Sequence, residues 1–272
     1  LPRIKSKTFI SSTASKHFYF SDSEKSFFYF HSVAGLNGFP EGGMDDYTDF
    51  ICATSQQYRE LQARFKSLAV TRRLHKIGYP KFDRILRRIE DAKDQGKGSI
   101  SEKLILIAPS FASEDVYRDV SMLPEIDIII KMLLEEGWGV IFRPHPVSLR
   151  RGEFVSKIKK LRDLYNGTTK FWFDSSQDYF DTYMRADMML TDVSGTSMMF
   201  SMAFKKPVLF YSPDCDKATD ALNAIPTIGP ITSELFQLKE RLKSIETIHH
   251  NILQANLYNP GNSVKKVVEL VS

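Results

Sequence analysis

Met188-Met189-Leu190-Thr191-Asp192-Val193-Ser194-Gly195-Thr196-Ser197 is the stretch that decides the fold. It opens apolar without alternation, as a strand buried on both faces does. It then passes through a short loop of hydroxyls into an apolar run that predicts a helix over Ser197 to Phe204. A buried strand turning directly into a helix is half of a βαβ unit. The rhythm repeats outward. Val208-Leu209-Phe210-Tyr211 follows as a strand, and Leu104 to Ala108, Gly139 to Phe142 and Phe171 to Phe173 precede it as strands. Between them, helices are predicted over Pro124 to Glu136, Phe154 to Tyr165 and Tyr179 to Arg185, and the tail from Glu234 also reads as helical. Continuous apolar strands alternating with helices predict a parallel sheet covered on both faces, and right-handed crossovers make it doubly wound.

Upstream the pattern is less regular. Phe27 to Phe30 predicts a strand ending at His31, followed by a loop with Gly35, Gly38, Gly42 and Gly43. Asp49 to Ala53 predicts a strand, and Ser55 is placed to cap a helix through Tyr58, Leu61 and Phe65. Leu68-Ala69-Val70 predicts another strand. Gly78-Tyr79-Pro80 interrupts local structure, and an amphipathic helix starts at Asp83. Residues 91–103 are charged, Gly-containing and nearly free of apolar residues, as a linker is. The expected division is 1–92, a linker at 93–103, and 104–272.

The chain has 272 residues, 42% hydrophobic and 26% charged, which excludes disorder and suits one large domain or two ordinary ones. Lys and Arg number 37 against 33 Asp and Glu, so the net charge of +4 does not mark a nucleic-acid binder. Cys52 and Cys215 give neither a disulfide framework nor zinc spacing, and a reducing, cytoplasmic setting is expected. No apolar run is long enough to span a bilayer. The first residue is Leu1, and no signal peptide is read there, so a fragment or processed chain is expected.

In a doubly wound sheet, ligands bind beyond the carboxyl ends of the strands. The residues there are Pro109-Ser110, Arg143-Pro144-His145-Pro146, Asp174-Ser175-Ser176, Asp192 to Ser197, and Ser212-Pro213-Asp214. Ser194, Thr196 and Ser197 supply hydroxyls, Gly195 permits close approach, and a helix N-terminus there suits an anion; an ordinary Ser/Thr cap fits the same residues. The two prolines around His145 hold a cation and an imidazole at a strand end, or simply brace a turn. His31 ends a strand and either faces a cleft or bonds to backbone. No HExxH or Walker pattern occurs, and no metal and no cofactor are expected.

Together these segments resemble the CDP-glycerol glycerophosphotransferase family of teichoic-acid primases and polymerases. The resemblance is carried in order by Gly78 to Asp83, Leu106 to Ser110, Arg143 to Pro146, Ala186 to Ser194, Lys206 to Tyr211 with Asp214, Ile228 to Ile231, and Asn259 to Ser263. It departs at His31-Ser32-Val33-Ala34-Gly35, at Phe111-Ala112-Ser113, where the family's Arg after Ala-Pro-Thr-Trp is missing, and at Gly195, where it has Ser. The resemblance implies a GT-B-like fold, with a complete Rossmann-like C-terminal domain and a partial N-terminal one on the acceptor side.

It further implies transfer of glycerol phosphate, or a related polyol or sugar phosphate, from a CDP-linked donor to an acceptor hydroxyl. His31 would be the general base and His145 the second catalytic residue. Arg143, Ser194, Gly195, Thr196, Ser197, Pro109, Ser110 and Asp192 would hold the donor phosphates, with Lys206 and Asp214 as secondary candidates. The implied partners are a nucleotide-diphosphate donor and a lipid-linked or oligosaccharide acceptor, with no nucleic acid. The face with Lys157, Lys159, Lys160 and Arg162 fits either plain solvation or peripheral contact with anionic lipid. Two alternatives stay open: a GT-B glycosyltransferase using a nucleotide sugar for capsule or lipopolysaccharide assembly, and a catalytically degenerate nucleotide-binding module.

Overall fold

Asp49 begins the third strand of a sheet and meets the fourth through Arg73 and His75. The computed structural model describes residues 4–12, 21–30, 32–33, 47–94, 103–112, 117–222, 228–244 and 256–272. Its first sheet is parallel, in the order β1 (Ile4–Ser11), β2 (Ser21–Tyr29), β3 (Asp49–Cys52), β4 (Arg73–Lys76). Register places Arg73 directly beside Asp49 and His75 two residues further on. The buried Asp49 carboxylate accepts from Arg73 Nε at 2.6 Å, Arg73 Nη2 at 2.7 Å, His75 Nε2 at 2.8 Å and Thr48 Oγ1 at 2.7 Å. Burial alone would push its pKa up. The donors outweigh burial and bring it down to about 2.

Alternate residues of β2 serve opposite faces, as the strand period requires. Phe28 packs with Phe30, Tyr47, Phe50, Leu61 and Phe65, while Phe27 packs with Ile51 and Ile77. Helix α1 (Ser55–Ser67) covers the first face. Its cap is Thr54, whose Oγ1 accepts from Gln57 N at 3.2 Å, so Ser55 is the first helical residue and not the cap. Leu68-Ala69-Val70 is not a strand. Leu68 closes α1, Ala69 turns through φ +52°, and the side chains of Leu68 and Val70 are exposed. The polar run Arg73–Lys76 takes the strand position instead, because Asp49 selects its cations. Helix α2 (Pro80–Asp94) begins at Pro80, where the missing N–H is harmless.

The terminal helix (Ser263–Val271) packs Val267, Leu270 and Val271 on the second face. A latch holds it. Asp83, 1% exposed, accepts from Gly261 N at 2.8 Å, Ser263 Oγ at 3.1 Å and Val264 N at 3.1 Å. Asn259 Nδ2 donates to the carbonyls of Lys76 and Ile77 at 2.8 and 3.1 Å. Gly78 has φ +105°, and a Cβ on it would lie 2.1 Å from the Tyr258 carbonyl oxygen. Contacts therefore group Leu1–Arg88 with Ile252–Ser272 and separate them from Ile89–Asn251. The sequence expectation had carried the second domain on to residue 272.

The second unit holds the sheet expected from the apolar runs: β5 (Leu104–Ile107), β6 (Gly139–Phe142), β7 (Phe171–Phe173), β8 (Met188–Thr191), β9 (Val208–Tyr211) and the short β10 (Ile231–Thr232). All pairs are parallel, in the order β10-β9-β8-β5-β6-β7. Helices α3 (Ile126–Glu135), α4 (Val155–Leu164), α5 (Phe180–Arg185), α6 (Thr196–Phe204), α7 (Cys215–Ala221) and α8 (Leu235–Lys243) complete it. Ile129, Ile130 and Leu133 of α3 pack with Ile105, Ile107, Val140 and Phe142 of the sheet. Helix α6 is buried almost all round, and its Phe200 and Phe204 pack edge-on against Tyr183 at 5.3 and 5.4 Å. The chain runs outward one way from β5 and the other way from β8. The order thus reverses between them, and in open sheets of this kind ligands bind at such a switch point.

Two predictions follow from the first unit. Asp83→Ala leaves two backbone donors and a hydroxyl without their acceptor and should cost about 2–4 kcal/mol, read as a lower urea midpoint with early loss of hydrogen-exchange protection in the terminal helix. The Asp49 carboxylate is stabilised by folding, so its contribution is complete above about pH 4 and disappears as pH falls towards 2. A pH series of urea midpoints should show that decline, and Asp49→Asn should flatten it.

Candidate active site

At the switch point, β5 and β8 stay locked past their last paired residues. Ala108 N donates to Leu190 O at 3.0 Å, and Thr191 Oγ1 donates to Ala108 O at 2.6 Å. Asp192 comes next and turns inward. It is 1% exposed and accepts from Ser110 N at 2.8 Å, Met122 N at 3.1 Å and Ser121 Oγ at 3.3 Å. Burial raises its pKa against the pull of these donors. Asp192 was expected among the donor-binding residues. The structure instead uses it to fasten the loop after β5 to the loop after β8. Pro109 and Ser110 are buried in the same tie.

Val193 and Ser194 stay buried, and Gly195 and Thr196 are the residues that come to the surface. Gly195 occupies the cap position of α6 and offers no side-chain acceptor to the first turn. A side-chain Ser/Thr cap is therefore absent; within the turn Ser197 N donates to Ser194 O at 3.1 Å, and a helix start without a side-chain cap suits an anion. Ser194 Oγ and Thr196 Oγ1 lie 2.9 Å apart beside them, with Thr196 exposed. Ser197 is fully buried and donates its hydroxyl back to Ser194 O at 2.7 Å, so it shapes the turn from within. The Tyr183 hydroxyl bonds to Thr196, and burial raises its pKa.

Arg143 ends β6, and its guanidinium is committed. Nη1 donates to Asp174 Oδ2 at 2.5 Å and Ser176 Oγ at 3.0 Å, and Nη2 donates to Ser176 O at 2.8 Å. The two charged side chains are only 11% and 13% exposed. Burial would raise the Asp174 pKa, but hydrogen bonds from Ser176, Thr182 and Arg143 hold it low. Asp174 was noted at a strand end but not chosen for the site. Register could have found it, because Phe142 pairs with Phe173, so Arg143 and Asp174 are next in line. That inference needs the knowledge that β6 and β7 are neighbours.

His145 sits on the rigid Pro-flanked loop. Val147 N donates to its Nδ1 at 3.2 Å, which places the proton of the neutral ring on Nε2. The ring reaches the surface but packs on one side against Phe111, centroids 6.1 Å apart, and burial lowers its pKa. The imidazole is thus a neutral Nε2–H donor near pH 7. The Arg151 guanidinium lies 5.9 Å from the Phe111 ring centroid.

The remaining candidates have structural partners. Lys206 Nζ donates to the carbonyls of Tyr183, Met184 and Ala186 at 2.9, 2.6 and 2.6 Å, closing the C-terminal end of α5, while burial brings its pKa down to about 8. Asp214 caps α7 by accepting from Lys217 N at 3.0 Å. On α4, Lys157 pairs with Asp127 at 2.6 Å and Arg162 with Asp163 at 2.8 Å, which partly neutralises the expected basic face. His31 lies outside the described residues.

The sequence model of one protein family, described as CDP-glycerol:poly(glycerophosphate) glycerophosphotransferase, matches residues 16–250. No curated sequence matches at significance. Among solved structures, the wall teichoic acid polymerase TagF is similar, with a TM-score of 0.65 at 16% identity over 97% of this chain and 72% of that one. The UDP-GlcNAc 2-epimerase of Methanocaldococcus jannaschii, in complex with UDP-GlcNAc and UDP, has a TM-score of 0.64 at 14% identity over 97% and 75%. The Neisseria meningitidis UDP-GlcNAc 2-epimerase bound to UDP-GlcNAc has a TM-score of 0.59 at 18% identity over 91% and 69%. At these identities the likeness is one of fold, and that fold is of the GT-B type.

The Arg143–Asp174 pair makes a test of the geometry. Asp174→Ala leaves a nearly buried guanidinium without its carboxylate and should cost about 3–5 kcal/mol in urea unfolding. The Arg143→Met/Asp174→Ala double variant should cost clearly less than the two single changes summed.

Proposed function

Because the chain belongs to the CDP-glycerol:poly(glycerophosphate) glycerophosphotransferase family, we propose that it transfers glycerol phosphate from CDP-glycerol to an acceptor hydroxyl in the synthesis of a teichoic-acid or capsule-type polymer. The observation that carries this for the chain's own residues is the Gly195-capped start of α6 at the switch point. The donor pyrophosphate is read onto the first-turn N–H groups, with the Ser194 and Thr196 hydroxyls beside it.

The acceptor oxygen attacks the distal phosphorus. A new P–O bond forms, the bond to the bridging oxygen breaks, and CMP leaves with that electron pair. Catalysis of this kind is mainly positioning and charge stabilisation. His145 donates its Nε2–H to the leaving phosphate. Arg143 shares its charge with Asp174, so His145 and the start of α6 bear most of the stabilisation. His31 takes the acceptor proton in this proposal, on its sequence pattern alone. Its ordinary pKa of about 6.5 suits a base at neutral pH. The acceptor is proposed to be lipid-linked or oligosaccharide. Among the described residues no helix is long and apolar enough to cross a membrane. A nucleotide-sugar donor is the second reading, favoured by the similar fold of epimerases bound to UDP-GlcNAc.

His145→Ala should slow CMP release from CDP-glycerol by about 10²–10⁴-fold while leaving donor binding within a few-fold. His31→Ala should show the same pattern. Wild-type rates in either variant would remove that residue from the mechanism. A donor panel scored by product mass separates CDP-glycerol from UDP-sugars, and UDP-sugar turnover alone would select the second reading.

A further inference from the structure

The parallel sheet of the second unit has a second polar end. Opposite the switch-point crevice, at the amino ends of β5, β6 and β7, lies a concavity of about 400 Å³. Lys103 precedes β5, Gly137-Trp138 precede β6, Lys170 precedes β7, and Lys239, Leu242 and Lys243 come from α8. Four lysines thus converge from three separate segments of the chain, with Glu136 as the one carboxylate in the lining. Lys239 pairs with Glu136, and Lys243 pairs with Glu240 at 2.8 Å. Lys103 Nζ lies 5.8 Å from the centre of the Trp138 ring, and Lys170 Nζ donates to the Gly137 carbonyl at 3.2 Å. Neither of these two contacts cancels a charge. With Glu136 on Lys239 and Glu240 on Lys243, Lys103 and Lys170 leave an excess of two positive charges around a half-buried indole.

Nothing in the transfer chemistry uses this place, and like charges gathered in a concavity repel unless an anion joins them. A lone phosphate would meet the unpaired ammonium groups at one point and leave the indole idle. A phosphodiester chain fits better. Its single charges are spaced along the strand, as the ammonium groups are spread along the pocket, and its short carbon segments can lie on the Trp138 face. We propose that this pocket is a secondary site for an extended polyanion of polyol phosphodiesters, holding acceptor or product chain away from the reacting end. The identity of that chain as poly(glycerophosphate) rests on the glycerophosphotransferase reading; the charge and shape argument does not.

The test uses the full chain with a short synthetic glycerol phosphate oligomer, glycerol 3-phosphate and inorganic phosphate, read by calorimetry and by Trp138 fluorescence. The oligomer should bind more tightly than either monomeric phosphate, and binding should weaken steeply with salt. Lys103→Gln/Lys243→Gln should weaken oligomer binding by roughly tenfold or more. The same variant should keep the wild-type melting temperature and the wild-type rate of CMP release with free glycerol as acceptor. Equal binding of inorganic phosphate and oligomer, or unchanged oligomer binding in the double variant, would overturn the site. If wild type binds the oligomer and the variant loses it while neither turns over CDP-glycerol, the pocket is supported and the transfer reading fails.

Discussion

A carboxylate without water has to be answered by donors, and at Asp192 those donors are the backbone of a neighbouring loop. Ser110 N and Met122 N both end on Asp192, with the Ser121 hydroxyl alongside. The arrangement pins the exits of β5 and β8 at the place where the sheet order reverses. Removing the acceptor would strand buried N–H groups at a cost of about 1–3 kcal/mol each. With Asp192 turned inward, Gly195 and Thr196 come to the surface at the start of α6, which has no side-chain cap. The placement of that helix start therefore depends on a buried carboxylate that precedes it.

The same device recurs. Asp49 ties two strands, Asp83 ties the terminal helix to the start of α2, and Asp174 fixes Arg143. Each buried acid meets several donors from a segment far off in sequence. This sorts the motifs that carry the family resemblance into two kinds. Gly78 to Asp83, Asn259 to Ser263 and Lys206 hold the architecture, through the latch and through the end of α5. Gly195, Thr196 and His145 reach the surface at the carboxyl end of the second sheet.

Charge is likewise placed rather than summed. A net charge of +4 over 272 residues says little. At the carboxyl edge of the second sheet, Arg143 is paired with Asp174, and burial lowers the pKa of His145. At the opposite end of the same sheet, four lysines face a single lining carboxylate. Parallel strands produce this polarity directly, because all their amino ends meet at one edge and all their carboxyl ends at the other.

The sequence by itself determined the second sheet, because strands buried on both faces must be continuously apolar and so announce themselves, from Leu104 to Tyr211. It also located the crevice loops, since their residues directly follow those strands. It misjudged Leu68-Ala69-Val70, where apolar composition outweighed a helix end, and passed over the polar β4 that Asp49 recruits. Nor could it tell which hydroxyls and charges face out. Ser194 and Ser197 look alike in sequence, yet one stands beside Thr196 and the other is sealed inside the turn. Arg143 reads as a free cation until β7 is known to lie beside β6. Only the tertiary structure decided these points, because a polar group's function depends on the partners that distant segments bring to it, and a sequence carries no record of that adjacency.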